Sequence, residues 1–190
     1  MAAHHGLGTG TARSASLVAG LSIVLLCGVC AGAEKGKVTM DTVEFHGWKQ
    51  NLRLDNGDAE LIATLEVGPR IISYRLKDGK NVFKEYDDQL GHSGETEWMI
   101  RGGHRLWAGP EDTTRTYALD NGPVKAQTLD GGRVRLVPPP DREYGLQKEI
   151  ELALEPKGSR VLVLHRIRNI GQTPTELAPW ALSVMAPGGV

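Results

Sequence analysis

Apolar and polar residues alternate with a period of two along much of this chain, and no stretch keeps helical spacing over three turns. The clearest case is AELIATLEV, where Ala59, Leu61, Ala63, Leu65 and Val67 fall on one side. Successive side chains of a strand point to opposite faces, so this spacing predicts a strand with one buried face. Gly68-Pro69 interrupts it, and RIISYRL carries an extended run on to Leu76. Asp78-Gly79 predicts a tight turn because glycine tolerates positive φ, and NVFKEY, Asn81 to Tyr86, is the expected return strand.

The second half is written the same way. RVRLV, Arg133 to Val137, runs into Pro138-Pro139-Pro140, which cannot donate to a sheet ladder and must be loop. LQKEIELAL places Leu146, Lys148, Ile150, Leu152 and Leu154 on one side. RVLVLHRIRN, Arg160 to Asn169, is the most strand-like segment, and Asn169-Ile170-Gly171 turns it into TELAPWALSVM. Short strands punctuated by Gly, Pro and Asp-Gly predict an all-β fold of sandwich type.

The opening residues follow a different pattern. Arg13 is their one charge, an apolar run spans Leu17 to Val29, and Ala31-Gly32-Ala33 is an A-x-A cleavage signal. A membrane-spanning helix takes about 20 apolar residues, more than this run supplies. The expectation is therefore a cleaved signal peptide over 1–33 and one domain over 34–190. Such a domain is exported to the periplasm or outside the cell and keeps no stable membrane span.

Cleavage removes both cysteines, Cys27 and Cys30, so the domain has no thiol for a disulfide or a metal. It also removes Arg13 and no acid, taking the net charge from −1 to −2. Such a balance gives no electrostatic footprint for nucleic acid.

The densest chemistry lies in GGHRLWAGPEDTTRTY, Gly102 to Tyr117. Alternation puts His104 and Leu106 on one side of an extended run, Arg105 and Trp107 on the other. An arginine beside an indole suits a sugar: the ring covers a C–H face and the guanidinium bonds hydroxyls. The alternative is a core Trp107, with Arg105 paired to Glu111 or Asp112. His104 is either a ligand contact or a buried histidine bonded to backbone. Arg70 is placed to reach a cleft from the Gly68-Pro69 turn, and Trp180 to serve as core or cleft wall. Glu111 is a turn carboxylate able to accept from a hydroxyl. His165 shares a face with Val161, Val163 and Ile167 and reads as a core-edge histidine.

The histidines His46, His92, His104 and His165 lack short metal-ligand spacing, and HSGETE is the only local cluster. No metal and no cofactor are expected. No G-x-S-x-G elbow and no glycine loop opening a helix is present.

GPRIISYRL, GGHRLWAGPE, LDNGPV, HRIRNIG and ELAPWALSVMAPGG occur in this order. Together they resemble an uncharacterised family of secreted bacterial proteins in the galactose mutarotase-like superfamily, over roughly Val38 to Val190. The resemblance implies an antiparallel β-supersandwich of the aldose 1-epimerase type that binds carbohydrate in a cleft. Full members are longer, so it also implies a C-terminally truncated domain. In mutarotases a histidine near the middle of the chain, a second on a later strand and a C-terminal glutamate share the proton transfers. His104 is similar to the first. Trp180 and Ser183 occupy the neighbourhood of the second, and the glutamate would lie beyond Val190.

Arg70, His104, Arg105, Trp107, Glu111 and Trp180 thus form the expected binding set, with His104 the candidate catalytic residue. The function expected first is an exported carbohydrate-binding domain. Next comes a sugar isomerase whose remaining groups lie beyond this chain, and then a structural sandwich that binds no sugar.

Overall fold

The computed structural model describes residues 36–188. The apolar run, Cys27, Cys30 and the A-x-A signal lie outside them. Ten strands make up the described fold: β1 (Thr39–Phe45), β2 (Trp48–Asp55), β3 (Ala59–Thr64), β4 (Arg70–Leu76), β5 (Gly103–Gly109), β6 (Lys125–Leu129), β7 (Arg133–Val137), β8 (Leu146–Leu154), β9 (Val161–Asn169) and β10 (Ala178–Val184). A single 3₁₀ turn, Asp130–Gly132, joins β6 to β7. The chain is all-β, as its alternation predicts.

The strands form two antiparallel sheets, one of six in the order β1-β2-β3-β4-β5-β10 and one of four in the order β6-β7-β8-β9. Between them lies one apolar core. Leu52, Leu54, Leu61, Ala63, Ile71 and Leu106 of the larger sheet meet Val134, Leu136, Ile150, Leu152 and Leu154 of the smaller. Burial of this much apolar surface is the main force holding the sheets together.

The larger sheet is covered on its outer face as well. Trp48, Ile62, Val67, Ile72 and Leu90 form a second cluster there. The Trp48 indole donates to the His92 carbonyl at 2.9 Å, tying down the long connection between β4 and β5. This double cover explains why all six residues of β3 are buried, polar Glu60 and Thr64 among them.

The smaller sheet instead turns a charged ladder outward. Glu149 and Glu151 on β8 are buried beneath Arg133 and Arg135 of β7 and Arg166 and Arg168 of β9. Glu151 is closest to Arg133, at 2.6 Å, and to Arg166, at 2.9 Å.

One expected element is not a strand. NVFKEY makes only isolated bridges, Phe83 to Met185 and Glu85 to Gly102. The Asn81 side chain explains it: Oδ1 accepts from the Tyr74 and Phe83 amides, and Nδ2 donates to the Ile72 carbonyl. A side chain occupies the edge of β4 where a return strand would pair.

Candidate functional site

The outer face of β5 is organised by three buried arginines. Arg70 and Arg101 have no exposed surface and Arg105 has 2%. Arg101, Gly102 and Gly103 all have positive φ, at 52°, 79° and 72°, a left-handed run that glycine tolerates best. A Cβ on Gly102 would lie 1.9 Å from the Lys84 carbonyl oxygen, so the two glycines are demanded by close backbone approach. The bend lets Arg70 Nη1 donate to the Ile100 and Gly102 carbonyls, each at 2.6 Å.

Asp120 binds two of these arginines through one oxygen. Its Oδ2 accepts from Arg70 Nη2 at 3.2 Å and from Arg105 Nη2 at 2.8 Å, while its Oδ1 has no partner. Burial pushes the Asp120 carboxyl up, but Arg70 and Arg105 outweigh it and hold it below its usual range. Desolvation lowers Arg70 to about 9, which leaves it charged at neutral pH. Arg101 pairs separately with Glu95 and with Asn121 Oδ1. Glu95 belongs to the HSGETE stretch, and no group of three metal-ligating side chains occurs among the described residues.

Arg105 therefore does not reach outward for hydroxyls, and its carboxylate partner is Asp120 rather than Glu111 or Asp112. Its guanidinium stacks 5.1 Å from the rings of both Trp98 and Trp107. Trp107 also packs against Tyr117 at 5.2 Å and Trp180 at 5.4 Å. Trp107 is thus a half-buried member of an aromatic cluster. Glu111 sits at its rim, accepting from the Tyr117 hydroxyl at 2.5 Å.

His104 lies on the opposite face of β5, between the sheets. Its Nε2 is 2.8 Å from Nε2 of His165 on β9, and its Nδ1 is 2.8 Å from the Ser183 hydroxyl on β10. Burial and then the neighbouring His165 lower His104 to about 4; burial lowers His165 too. His165 does lie with Val161, Val163 and Ile167 at the edge of the core. Its contact with His104, from a strand of the other sheet, had no local sequence signal.

A cleft of about 670 Å³ opens where loops from both sheets converge. Tyr117, Tyr144 and Pro138-Pro139-Pro140 form its walls, and Asp120, Asp141, Lys148 and the exposed Arg142 and Glu143 supply its charge. Asp141 Oδ2, like Asp120 Oδ1, is buried without a partner. Lys148 sits on the inward side of β8 between Leu146 and Ile150, both fully buried. It has no carboxylate within 4.0 Å among the described residues. Burial lowers its amine, and Asp120 and Asp141 offset part of that effect.

Of the six expected binding residues, none lines this cleft directly. Arg70 and Arg105 hold Asp120, and Glu111, Trp107 and Trp180 back Tyr117 directly or through one ring. His104 stands apart with His165.

A second groove, of about 700 Å³, is lined by Arg53, Glu60, Arg75 and Phe83. Its two arginines are paired, Arg75 Nε 2.8 Å from Glu60 and Arg53 Nη2 2.6 Å from Asp41, while Lys80, Lys84 and Asp87 along it have no ion pair among the described residues. Orphaned polar atoms, which mark the places where a ligand can replace lost water, occur in the first cleft and not in this one. Comparison with known protein families, with curated proteins and with solved structures returned no match, so the geometry of the cleft is the ground on which its function is judged.

Proposed function

We propose that this domain binds carbohydrate in the cleft between Tyr117, Tyr144, Asp120, Asp141 and Lys148. The observation that carries this reading is the meeting in one cleft of an unpaired amine, Lys148, with two carboxylates, Asp120 and Asp141, each of which keeps one buried oxygen without a partner. A sugar ring offers what those groups lack: hydroxyls that donate to a carboxylate and accept from an ammonium. Tyrosine and proline faces cover its C–H surfaces. The volume falls within the about 300–1,000 Å³ usual for small-ligand sites.

The resemblance to galactose mutarotase-like proteins supports the same ligand class and, with the two antiparallel sheets, a supersandwich architecture. The apolar opening run and its A-x-A signal support export. The test is a titration with monosaccharides, read by calorimetry and by tryptophan fluorescence, since Tyr117 touches Trp98 and Trp107. Binding should be lost in Asp141→Asn and in Tyr144→Ala. A wild-type protein showing neither heat nor fluorescence change with any sugar overturns the reading.

A second reading, sugar isomerisation, gains from His104 and His165 lying 2.8 Å apart, since ring opening needs an acid and a base. A histidine lowered to about 4 is a weak base near neutral pH, which ranks this below binding. Polarimetry of freshly dissolved α-glucose and α-galactose separates the two.

A further inference from the structure

We propose that Lys148 is a covalent site that forms a reversible imine with the open-chain aldehyde of a reducing sugar held in the cleft. This rests on the carbohydrate reading of the same cleft and goes beyond it, from binding to chemistry.

Placement comes first. The inward stripe of β8 is Leu146, Lys148, Ile150, Leu152 and Leu154, and the other four are core residues. A lysine in such a stripe ordinarily escapes to solvent or pairs with a carboxylate. Lys148 has no ion pair, and its half-buried side chain delivers the amine to the cleft rather than to open surface. Burial lowers its pKa by more than the two aspartates raise it, so the uncharged amine is more accessible here than on a surface lysine. An uncharged lysine amine is the nucleophile from which imines form.

The neighbours suit the proton movements. The amine nitrogen attacks the aldehyde carbon, and the C=O π electrons move onto oxygen. The Asp141 carboxylate takes a proton from nitrogen and returns it to that oxygen, giving a carbinolamine. The nitrogen lone pair then expels the hydroxyl, which leaves as water with the proton of the remaining N–H carried to it by the same carboxylate, and the C=N bond is left neutral. Amine and aldehyde give imine and water, with no other reactant, and hydrolysis reverses the step. Asp141 has one oxygen held by the Tyr144 amide at 3.2 Å and the other buried without a partner, so its carboxylate is not tied up in an ion pair.

The experiment incubates the protein with glucose and cyanoborohydride, which reduces an imine to a stable amine, and maps the adduct by peptide mass spectrometry. Lys148 should be labelled selectively over the other lysines. Labelling spread evenly over the lysines of folded wild-type protein overturns the inference, and needs no variant to interpret. Lys148→Arg should lose the site-specific adduct while keeping the native circular dichroism.

Methyl α-glucoside, which cannot open to an aldehyde, separates this inference from the one beneath it. If the glucoside binds and Lys148 is not labelled, the covalent step falls and carbohydrate binding stands. If glyceraldehyde labels Lys148 selectively and no glycoside binds, the sugar reading falls and the reactive lysine stands. Protection of Lys148 from glyceraldehyde by the glucoside supports both.

Discussion

Nε2 of His104 and Nε2 of His165 lie 2.8 Å apart, a contact between a strand of the six-stranded sheet and one of the four-stranded sheet. Only one of the two can donate in a neutral pair, and protonating both places two cations face to face. The folded His104 sits at about 4, against about 6.5 in an unfolded chain.

Its sign follows from linkage. Above about pH 6.5 the contribution is fully present; between there and pH 4 the unfolded chain takes up a proton that the folded protein refuses, and stability falls. Below that value the loss is complete. Urea midpoints should drop across this window, and His104→Gln should flatten the slope. A midpoint independent of pH there would refute the assignment.

Asp120 joins Arg70 and Arg105, both nearly without solvent contact. Asp120→Ala should cost about 3–5 kcal/mol, because it leaves buried guanidinium groups without their carboxylate. Arg70→Lys should recover little, since an ammonium cannot hold Ile100, Gly102 and Asp120 in the same fork geometry. Chemical denaturation of both variants checks this, and a cost below about 1 kcal/mol would show the pair to be solvent-screened.

Trp107 packs on three aromatic rings and under the Arg105 guanidinium. Trp107→Ala should destabilise by about 3 kcal/mol, the low end for a core tryptophan given its partial exposure. The aromatic near-ultraviolet dichroism should weaken with it. An unchanged melting temperature would return Trp107 to the role of a free surface platform.

Gly102→Ala and Gly94→Ala make a matched pair. Their φ values are +79° and +78°, but a Cβ at Gly94 meets nothing within 4 Å, while at Gly102 it meets backbone at 1.9 Å. Both should lose about 1 kcal/mol to the left-handed conformation, and Gly102→Ala should lose considerably more. Equal melting temperatures would show that the Gly102 neighbourhood can give way.

Fold class was legible because apolar residues recur with period two through β3, β8 and β9, and proline and glycine mark their ends. β1, β2 and β6 escaped notice. His46-Gly47, with φ of 46° and 97°, is a two-residue hairpin turn whose flanking alternation is diluted by exposed polar residues on β1. NVFKEY misled because alternation does not reveal that Asn81 will cap the edge of β4. The cleft was scarcely legible, since none of the six expected binding residues lines it. Lys148 stands out in the sequence only as the one charge in an apolar stripe. Asp120 sits in a turn, fifteen residues from Arg105 and fifty from Arg70, and nothing local marks it as their common partner.

The ladder over β7, β8 and β9 sets four arginines against two glutamates, so two positive charges stand unbalanced there in a chain whose net charge is −1. The molecule is electrically lopsided. At low salt, where fields reach beyond about 10 Å, it should adhere to a cation exchanger despite its overall negative charge. It would then lie with the four-stranded sheet against the resin and the covered face of the six-stranded sheet away from it.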